Sequence, residues 1–516
     1  MMDRVCYTPI LPKDLSTEER RKVVEGILLM NEKRDKTVKS RLVYNGKPTR
    51  KWISNEDKSS PTASNEALFL TAVIDAKEGC DVMTSDVPNA FIQAIIEENG
   101  DRGNDKIVMK LTGVVVDLLV EMAPEVYKDF IVLEKGKKVL YVNVLRNLYG
   151  MLDASLRWYT KFRKDLEKIG FRFNAYDPCV AVRDVAGSQH RIRFHVDDLM
   201  SSHKLAKVND EFHKWLNKSY GKLGEVKTTR GKEHDFLGMT FDFHEKGKVR
   251  INMKDYILKM LEEFPVKLSE KDTAKTPAGS KLMEKGNSKP LDKERAKVFH
   301  TTVAQGLFVS KRGRPDIQPT VAVLCTRVQD PNESDWDKLV RLLMYLNGTK
   351  DLMLVLSAED LRILKWFVDV SFGVHPDFKS HTGSVLTMGK GAIQSQSMKQ
   401  KVNSRSTCEA ELIGADDALT QILWTRLFLE DLGYPVEKNI LYQDNQSAIL
   451  LEVNGRKSIG KRSRHLSIRY FFLTDQVKQG KVSVEYCHTD KMVGDYMSKP
   501  LQGAKFREFR RAIMGE

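Results

Sequence analysis

The sequence predicts a multidomain α+β protein, with a large α+β domain, a linker with a helical connector, and a smaller α/β domain. Three observations lead to this prediction. The chain has 516 residues, more than the roughly 250–300 that a single hydrophobic core supports. Apolar residues recur at helical spacing in some segments and in short strand-like runs in others. The segment Ala274–Asp292 is rich in Lys, Gly, Ser and Pro, which is typical of a linker.

The elements before this linker mix helices with short strands. The apolar spacing predicts helices over Glu18–Glu32, Asn65–Val73, Leu156–Ile169 and Tyr256–Phe264, with Gly170 ending the third. Strands are predicted over Arg41–Tyr44, Cys80–Asp86, Arg191–Val196 and Leu199–Ser202. After the linker a helix is predicted over Leu339–Leu346, and Ile363–Val370 begins a strand-rich region that continues to the end.

The composition favours a globular protein with a polyanionic partner. Lys and Arg number 84 against 70 Asp and Glu, which gives a formal charge of +14. A nucleic acid is the first partner that such an excess indicates, although a basic soluble protein without one has the same count. No apolar stretch approaches the roughly 20 residues of a membrane span, and no signal peptide is recognisable. Six dispersed cysteines without a C-x-x-C pair predict reduced thiols in an intracellular protein.

Three aspartates form a first candidate site. Asp197 and Asp198 lie between two apolar strands, and Asp86 ends another strand just before Pro88, which favours a helix start. Carboxylates at a strand end and at a hairpin apex can converge on two Mg²⁺ ions about 3.5–4 Å apart, the arrangement that runs nucleotidyl transfer. An Asp-Asp pair in a solvated turn is the plain alternative.

Several motifs surround these aspartates in a defined order. They are Lys39-Ser-Arg-Leu-Val43, Asp86-Val-Pro-Asn-Ala-Phe91, Leu148-Tyr-Gly-Met151 with Trp158-Tyr159, Asp177-Pro-Cys-Val180, Phe194-His-Val-Asp-Asp198 and Phe236-Leu-Gly-Met239. Together they resemble the reverse transcriptase of copia-type (Pseudoviridae) LTR retrotransposons. The resemblance extends over nearly the whole chain, and it implies a right-hand polymerase with fingers, palm and thumb.

The resemblance also implies a role for each matching residue. The three aspartates would be the metal ligands, with Asp198 the weaker third carboxylate. Phe91 would exclude a ribose 2′ hydroxyl by its bulk. Lys39 and Arg41 would contact the incoming triphosphate, since cations bind phosphate oxygens. An ordinary solvated basic strand is the alternative reading of these two residues.

Two segments depart from the family pattern. His195 stands where the family has Tyr, and Asp153-Ala-Ser155-Leu156 stands where it has Gln-Ala-Pro-Arg. The family's Gln lies against the template and the nascent pair, and an Asp near a phosphate backbone is repulsive unless it points away. These departures motivate an alternative hypothesis, a domesticated or decayed copy that binds nucleic acid without polymerising.

Four further acids form a second candidate site. Asp369 lies on an apolar strand, Glu411 at a helix start, Asp444 at a strand end and Asp495 within Met492-Val-Gly-Asp-Tyr-Met497. Single acids in such places are usually solvated or cap a helix, whereas four in the order D, E, D, D are specific. Glu411 is preferred to Glu409 because Glu-Leu-x-x-Ala begins the apolar face of the helix.

The same region resembles the copia-type ribonuclease H. The matching segments are Ser406-Thr-Cys-Glu-Ala-Glu411, Tyr442-Gln-Asp-Asn-Gln-Ser-Ala448 and Arg462-Ser-Arg-His465. The resemblance implies a connection followed by an α/β ribonuclease H-like domain. The four acids of this domain would bind two Mg²⁺ ions, which would activate water for attack on the RNA strand of an RNA–DNA hybrid. Two basic segments without acidic residues would bind along the phosphates of the hybrid. The alternative is an ordinary solvated basic face. The residues assigned to this contact are Lys399, Lys401, Arg405, Arg462, Arg464 and His465, the last with a structural helix-start role as its alternative.

These predictions combine into one enzyme. Residues 1–248 would be fingers and palm, 249–290 thumb and linker, 291–362 the connection and 363–516 the ribonuclease H domain. The predicted function is RNA- and DNA-templated DNA synthesis with ribonuclease H activity, which together make retrotransposon cDNA. A third hypothesis is a chain in which only the ribonuclease H is active. The cofactor would be Mg²⁺, two ions per site, with Mn²⁺ as a substitute. Partners would be an RNA template, a DNA primer, the RNA–DNA hybrid and dNTPs, with monomer and homodimer equally compatible. The resemblance implies a cytoplasmic virus-like particle with access to the nucleus.

Overall fold

The fold is described from a computed structural model over residues 6–32, 38–56, 58–96, 106–455 and 467–516. The backbone of Lys39 and of residues 467–471 belongs to a strand and a helix, but their side chains lie outside this description. None of the helices in these ranges combines the length and apolar content that crossing a bilayer requires.

The strands form four sheets. They are β1 (Tyr7–Ile10), β2 (Val24–Glu32), β3 (Val38–Tyr44), β4 (Asp81–Asp86), β5 (Val108–Thr112), β6 (Ile131–Glu134), β7 (Lys137–Val144), β8 (Arg172–Phe173), β9 (Val180–Val185), β10 (Ser188–His195), β11 (Asp198–His203), β12 (Lys227–Thr229), β13 (Glu233–Phe236), β14 (Met239–Asp242), β15 (Lys248–Asn252), β16 (Leu354–Ser357), β17 (Ile363–Ser371), β18 (His381–Thr387), β19 (Gln394–Lys399), β20 (Lys438–Gln443) and β21 (Ser483–Tyr486). The N-terminal sheet has the order β1-β7-β5-β2-β3 with β6 on β7, and the central sheet has the order β12-β4-β11-β10-β9-β8. The connecting sheet runs β13-β14-β15-β16, and the C-terminal sheet runs β19-β18-β17-β20-β21.

Helices cover these sheets. They are α1 (Thr17–Lys22), α2 (Asn65–Glu78), α3 (Ala90–Gln93), α4 (Val114–Met122), α5 (Pro124–Tyr127), α6 (Ala154–Lys168), α7 (Ala206–Tyr220), α8 (Lys254–Glu263), α9 (Lys293–Ser310), α10 (Gln318–Cys325), α11 (Glu333–Gly348), α12 (Thr407–Asp431), α13 (Gln446–Asn454), α14 (Ser467–Lys478), α15 (Asp495–Ser498) and α16 (Gly503–Met514). The predicted α+β architecture is confirmed.

The helix predicted over Glu18–Glu32 is wrong in its second half. A capping box at Ser16 begins α1, which ends at Lys22, and the chain then enters β2. Gly26 lies in the middle of the predicted helix, where glycine is unfavourable. In the structure it pairs with Tyr44 of β3, and a Cβ at Gly26 would press against the Leu111 side chain of the N-terminal sheet. Long-range strand pairing therefore outweighs the helical spacing of the segment.

The central sheet carries the predicted strands around the first aspartates. Helix α6 packs its buried Trp158 and Phe162 on this sheet, and the Trp158 ring lies 5.3 Å from that of Tyr220 at the end of α7. Gly170 follows α6 with φ of +90°, so it ends the helix as predicted. β10 pairs antiparallel with β11, and β11 pairs antiparallel with β4. The end of β10, the start of β11 and the end of β4 therefore lie at the same edge of the sheet.

A buried ionic network supports the back of the central sheet. Asp75 of α2 is fully buried and accepts hydrogen bonds from Arg191 and Arg193 of β10. Arg191 also donates to the Tyr434 hydroxyl over 2.6 Å, and that hydroxyl donates to Glu78 over 2.7 Å. Because Tyr434 follows α12, the network joins the central sheet to the C-terminal part of the chain.

Further hydrogen bonds strengthen this junction. The side chain of Gln189 donates to the carbonyl of Leu432 over 2.8 Å, and that of Asn174 donates to the carbonyl of Phe428 over 3.1 Å. The Trp424 indole of α12 donates to a carbonyl in the turn before β9. The C-terminal half of α12 is thus fastened to the central sheet.

The predicted linker has neither helix nor strand between α8 and α9. It is nevertheless partly buried, because Ala278, Leu282 and Met283 pack with Val323 of α10. Strand β16 pairs with β15, so segments on either side of helices α9–α11 share one sheet. The domain boundaries at residues 248, 290 and 362 stay predictions.

The C-terminal sheet combines antiparallel and parallel pairs. β17 pairs antiparallel with β18 and parallel with β20, which is parallel to β21. Helix α12 packs closely on the sheet at Gly414, where a Cβ would overlap the Val370 side chain. The predicted α/β character of this last part is confirmed.

Candidate active sites

The first centre lies where β4 ends and β11 begins. Asp86 and Asp198 are directly paired across these antiparallel strands. His195 pairs with Asp198, so the hairpin turn consists of Val196 and Asp197. The backbone N–H of Val87 donates to the carbonyl of Asp197 over 3.0 Å. The structure therefore brings all three predicted aspartates to one sheet edge.

The hairpin turn is strained and held in place. Val196 has φ of +58°, a conformation that a β-branched residue rarely adopts. The indole N–H of Trp158 donates to its carbonyl over 2.6 Å. The two-residue turn places Asp197 close enough to Asp86 for their charges to interact, and the hydrogen bond from Trp158 of α6 holds the turn in place.

The electrostatics of this centre call for a cation. Burial raises the pKa of Asp198 to about 6, and the carboxylates of Asp197 and Asp86 add to the rise. Burial and the Asp86 carboxylate also raise the pKa of Asp197, against the opposing effect of His195 and Arg41. The negative charges of the three carboxylates repel one another, and a bound divalent cation would offset this repulsion. Hard cations such as Mg²⁺ prefer carboxylate oxygens as ligands.

Arg41 of β3 and Tyr149, which follows β7, lie near the aspartates, since Arg41 opposes the rise that burial causes in the pKa of Asp197, and burial and the charges of Asp197 and Asp86 raise the pKa of Tyr149. The Arg41 guanidinium lies 5.0 Å from the centre of the Tyr149 ring, and the Phe91 ring lies 5.1 Å from the same ring in an edge-on arrangement. Tyr149 itself was not predicted as a site residue, although its motif was. The predicted phosphate contact Lys39 has a side chain outside the described residues.

Strand β3 is fixed close to the Leu148–Met151 segment. The N–H of Tyr44 donates to the carbonyl of Tyr149 over 2.8 Å. Gly150 has φ of +90°, and a Cβ there would overlap the Tyr44 carbonyl and the Val43 side chain. Only glycine fits this approach, so the glycine positions Arg41 near the aspartates.

The departures from the family pattern have local explanations. Asp153 is 4% exposed and forms an ion pair with Arg157, one helical turn on, over 3.0 Å. Its charge is compensated within α6, so its predicted repulsion of a phosphate backbone does not arise. His195 is half-buried; burial lowers its pKa, against the opposing effect of Asp197, and its Nδ1 has no partner among the described residues.

The second centre brings three of its four predicted acids together. Asp369 lies on β17, Glu411 in the second turn of α12, and Asp444 follows β20. Carboxylate oxygens of the three lie within 4.8 Å of one another. Glu409 instead accepts the N–H of Arg405 over 2.9 Å, so it caps the helix outside this cluster.

The second centre is more buried than the first. Burial raises the pKa of Glu411 well above its ordinary value, and Asp369 and Asp444 raise it further. Burial also raises the pKa of Asp369. The Oε2 atom of Glu411 has no hydrogen-bond partner within the described ranges. An orphaned, buried carboxylate oxygen between two other carboxylates fits a divalent cation.

The fourth acid reaches this cluster through a lysine. The Lys499 ammonium lies 2.6 Å from Asp495 and 3.2 Å from Asp369, and the Ser498 hydroxyl donates to Asp369. Gly494 allows α15 to approach, since a Cβ there would lie 3.1 Å from the backbone nitrogen of Asp369. Ser498 and Lys499 were not predicted; a lysine four residues after an acid was the available signal.

The predicted basic residues are only partly described. Lys399 forms an ion pair with Asp377 over 2.7 Å, and Lys401 and Arg405 are exposed in the loop before α12. Arg462, Arg464 and His465 lie outside the described residues.

Comparisons with known proteins identify the family of the chain. A family model described as reverse transcriptase (RNA-dependent DNA polymerase) matches residues 12–279. The retrovirus-related Pol polyprotein from transposon TNT 1-94 of Nicotiana tabacum is 27% identical, over 92% of this chain and 34% of that protein. The corresponding polyprotein from transposon RE2 of Arabidopsis thaliana is 24% identical, over 92% of this chain and 30% of that protein. The chain thus spans about a third of the length of these relatives.

A solved structure is also similar. The foamy viral protease–reverse transcriptase in complex with double-stranded DNA covers 90% of this chain and 65% of its own, at 12% identity and a TM-score of 0.49. The family model carries the assignment, because it matches 268 of the 516 residues, more than half of the chain. The protein therefore belongs to the reverse transcriptase (RNA-dependent DNA polymerase) family.

Proposed function

We propose that the chain makes retrotransposon cDNA by extending a DNA primer on RNA and DNA templates, and that it also cleaves the RNA strand of the resulting hybrid. The observation that carries this proposal is the presence of two separate groups of acids: Asp86, Asp197 and Asp198 lie together at one edge of the central sheet and raise one another's pKa, and the carboxylate oxygens of Asp369, Glu411 and Asp444 converge on the C-terminal sheet. Each cluster joins acids from different strands or helices, which an arbitrary set of surface acids rarely does.

Asp86, Asp197 and Asp198 would hold Mg²⁺, with Mn²⁺ as a substitute, at the first centre. The bound ions would lower the pKa of the primer 3′ hydroxyl and stabilise the pyrophosphate that leaves. Arg41, fixed over the Tyr149 ring, would bind the triphosphate of the incoming dNTP, together with Lys39. Phe91 is held beside the same ring, and its bulk would exclude a ribose 2′ hydroxyl.

Asp369, Glu411, Asp444 and Asp495 would hold Mg²⁺ at the second centre. The bound ions would activate a water molecule for attack on an RNA phosphodiester. Lys499 compensates part of the negative charge, because its ammonium contacts both Asp369 and Asp495. Lys399 at the end of β19 would contact hybrid phosphates, together with Lys401 and Arg405 in the loop before α12. Arg462, Arg464 and His465 complete the proposed set.

The experiment compares two variants in two assays on the full chain. Asp197→Asn should abolish Mg²⁺-dependent primer extension and retain hybrid cleavage, and Glu411→Gln should do the reverse. Asp184→Asn changes an exposed acid of the same central sheet and should retain both activities. Glu409→Gln changes the capping acid of α12 and should retain cleavage.

The outcomes separate the hypotheses. Primer extension that survives Asp197→Asn would overturn the assignment of the first centre. Cleavage that survives Glu411→Gln, or a wild type that extends primers without cleaving hybrid, would overturn the ribonuclease H assignment. A wild type that binds hybrid but has neither activity would be the decayed or domesticated copy, the alternative that His195 and the Asp153–Leu156 segment motivate.

The remaining proposals follow from the family. The partners would be an RNA template, a DNA primer and dNTPs, and the chain would act inside a cytoplasmic virus-like particle whose product reaches the nucleus. A monomer and a homodimer are both compatible with this function, and sedimentation of the purified chain distinguishes them.

A further inference from the structure

An unusually exposed aromatic ring lies in the loop between β17 and β18. Phe378 is 77% exposed, the highest value among the exposed large hydrophobic residues of the described chain. Its φ is +58°, a left-handed conformation that non-glycine residues adopt at a cost. Phe372 lies in the same loop and is 42% exposed, and Val402, in the loop between β19 and α12, is 41% exposed. Exposed apolar groups that gather in one place indicate a contact surface.

The loop that presents Phe378 is well ordered by hydrogen bonds. The N–H of Phe378 donates to the carbonyl of His375 over 2.8 Å, and the N–H of His375 donates to the carbonyl of Lys379 over 3.1 Å. Beneath the loop, ring nitrogens of His375 and His381 lie 2.9 Å apart, and His381 contacts the Ser397 hydroxyl over 2.7 Å. The ring is therefore held out toward solvent by a fixed turn.

A second loop, from β19 to α12, packs against the first. The N–H of Gln400 donates to the carbonyl of Ser380 over 2.9 Å, and the hydroxyls of Ser380 and Ser404 lie 3.1 Å apart. The Asn403 side chain donates to the carbonyl of Asp377 over 3.3 Å. The two loops form one continuous surface, which we call the loop platform (residues 372–380 and 399–406).

The loop platform is basic. Its cations are Lys379, Lys399, Lys401 and Arg405, and its single acid, Asp377, is already paired with Lys399 over 2.7 Å. Exposed rings or apolar groups among cations are typical of nucleic-acid contacts, because the ring packs on nucleotides while the cations bind phosphates. This charge favours a nucleic acid over an apolar protein surface as the occupant.

The loop platform is close in sequence to two acids of the second carboxylate centre. Asp369 precedes Phe372 on β17 by three residues, and Glu411 follows Arg405 by six. Asp369 pairs with Gly383, and Ser371, two residues further along β17, pairs with His381 at the base of the first loop. The first loop therefore begins within two residues of an acid proposed to cleave RNA, and the second loop packs against the first.

We infer that the Phe378 ring packs into the minor groove of the RNA–DNA hybrid beside the second centre, while Lys401 and Arg405 bind the flanking phosphates. The inference rests on the proposed ribonuclease H function and adds a substrate-binding residue to it. A wide, shallow minor groove that displays sugars and base edges accepts such a ring without unpairing the strands.

The test uses full-length Phe378→Ala and Phe378→Trp with a short, blunt-ended, fluorescent RNA–DNA hybrid. Phe378→Ala should raise the KM for hybrid cleavage about 10- to 100-fold, the effect of no longer burying one apolar ring in the groove, and leave kcat within about 2-fold. Phe378→Trp should keep the wild-type KM. Leu133→Ala, which removes a 76% exposed side chain of the N-terminal sheet, is the matched control and should change nothing.

Two further measurements isolate the ring from the cations and from folding. Lys401→Gln should reduce the dependence of hybrid affinity on salt concentration, whereas Phe378→Ala should leave that dependence unchanged. Phe378→Gly removes the ring and tolerates the positive φ, so it should unfold no more easily than wild type and still lose hybrid affinity.

The inference is overturned if Phe378→Ala and Phe378→Gly bind and cleave hybrid like wild type. A change in sedimentation with unaltered hybrid affinity would instead show that the ring contacts a second protein chain, which also overturns it. Affinity is measured in EDTA as well. A wild type that cleaves no hybrid then contradicts the proposed ribonuclease H function, while the EDTA affinities still decide the role of Phe378.

Discussion

The buried Glu452 provides the sharpest stability test. It lies on α13, is fully buried, and neither of its carboxylate oxygens has a hydrogen-bond partner in the described part of the chain. Burial raises the pKa of Glu452 from 4.5 to about 8, and the nearby Gln443 amide opposes the rise only in part. We expect Glu452→Gln to make the folded protein less sensitive to alkaline pH.

The sign follows from proton linkage. Between pH 4.5 and 8 the folded state keeps the Glu452 proton and the unfolded state releases it, so the free energy of unfolding falls as pH rises. Each pH unit in this window contributes about 1.4 kcal/mol. The stability of Glu452→Gln relative to wild type should therefore grow by about 4 kcal/mol between pH 5 and pH 8. Any fixed cost of burying the amide is the same at both pH values and cancels.

The assay is urea unfolding of both proteins at several pH values from 5 to 8. Glu121→Gln, which changes an exposed glutamate of α4, is the control and should follow the wild-type curve. A difference between Glu452→Gln and wild type that stays constant across this range would refute the reasoning, since it would mean that Glu452 does not retain its proton on folding.

Three other changes test the remaining features. Asp75→Asn takes from buried Arg193 its carboxylate partner and from buried Arg191 one of two, the other being Glu78. It should lower the free energy of unfolding by about 3–5 kcal/mol; a loss below about 1 kcal/mol in urea would contradict the ion-pair role. Because the pKa of Asp198 is raised to about 6, the Mg²⁺ concentration for half-maximal primer extension should rise as pH falls from 7.5 to 5.5, and Asp198→Asn should remove that pH dependence. Gly150→Ala should destabilise the protein by more than about 1 kcal/mol and reduce primer extension while sparing hybrid cleavage, because its Cβ would overlap the Tyr44 carbonyl; equal loss of both activities would contradict a local effect.

Local patterns in the sequence predicted the elements that carry the first centre. The strands ending at Asp86 and starting after Asp197 have apolar runs bounded by turn signals, and α6 has a clear amphipathic spacing. The direct pairing of Asp86 with Asp198 required the register between strands more than a hundred residues apart, which no local pattern specifies. Strand β2 was missed because its helical apolar spacing does not indicate its antiparallel pairing with β3 or its parallel pairing with the distant β5.

The second centre was harder to complete from sequence. Asp369, Glu411 and Asp444 follow from motif order, but the link from Asp495 through Lys499 depends on how closely α15 approaches the sheet at Gly494. The neutralisation of Asp153 by Arg157 was available from their spacing of four on a helix. Its significance became clear only because both side chains are buried.

The junction between the central sheet and the end of α12 has a consequence for how a hybrid is processed. Rotating the C-terminal part of the chain relative to the central sheet would pull Tyr434 away from Arg191 and Glu78. This motion would expose a buried ionic network, which costs free energy. The distance between the two carboxylate centres should therefore stay nearly constant. If the chain has both proposed activities, a hybrid that occupies both centres would be cut a set number of base pairs behind the growing DNA end, and the cut would advance with that end.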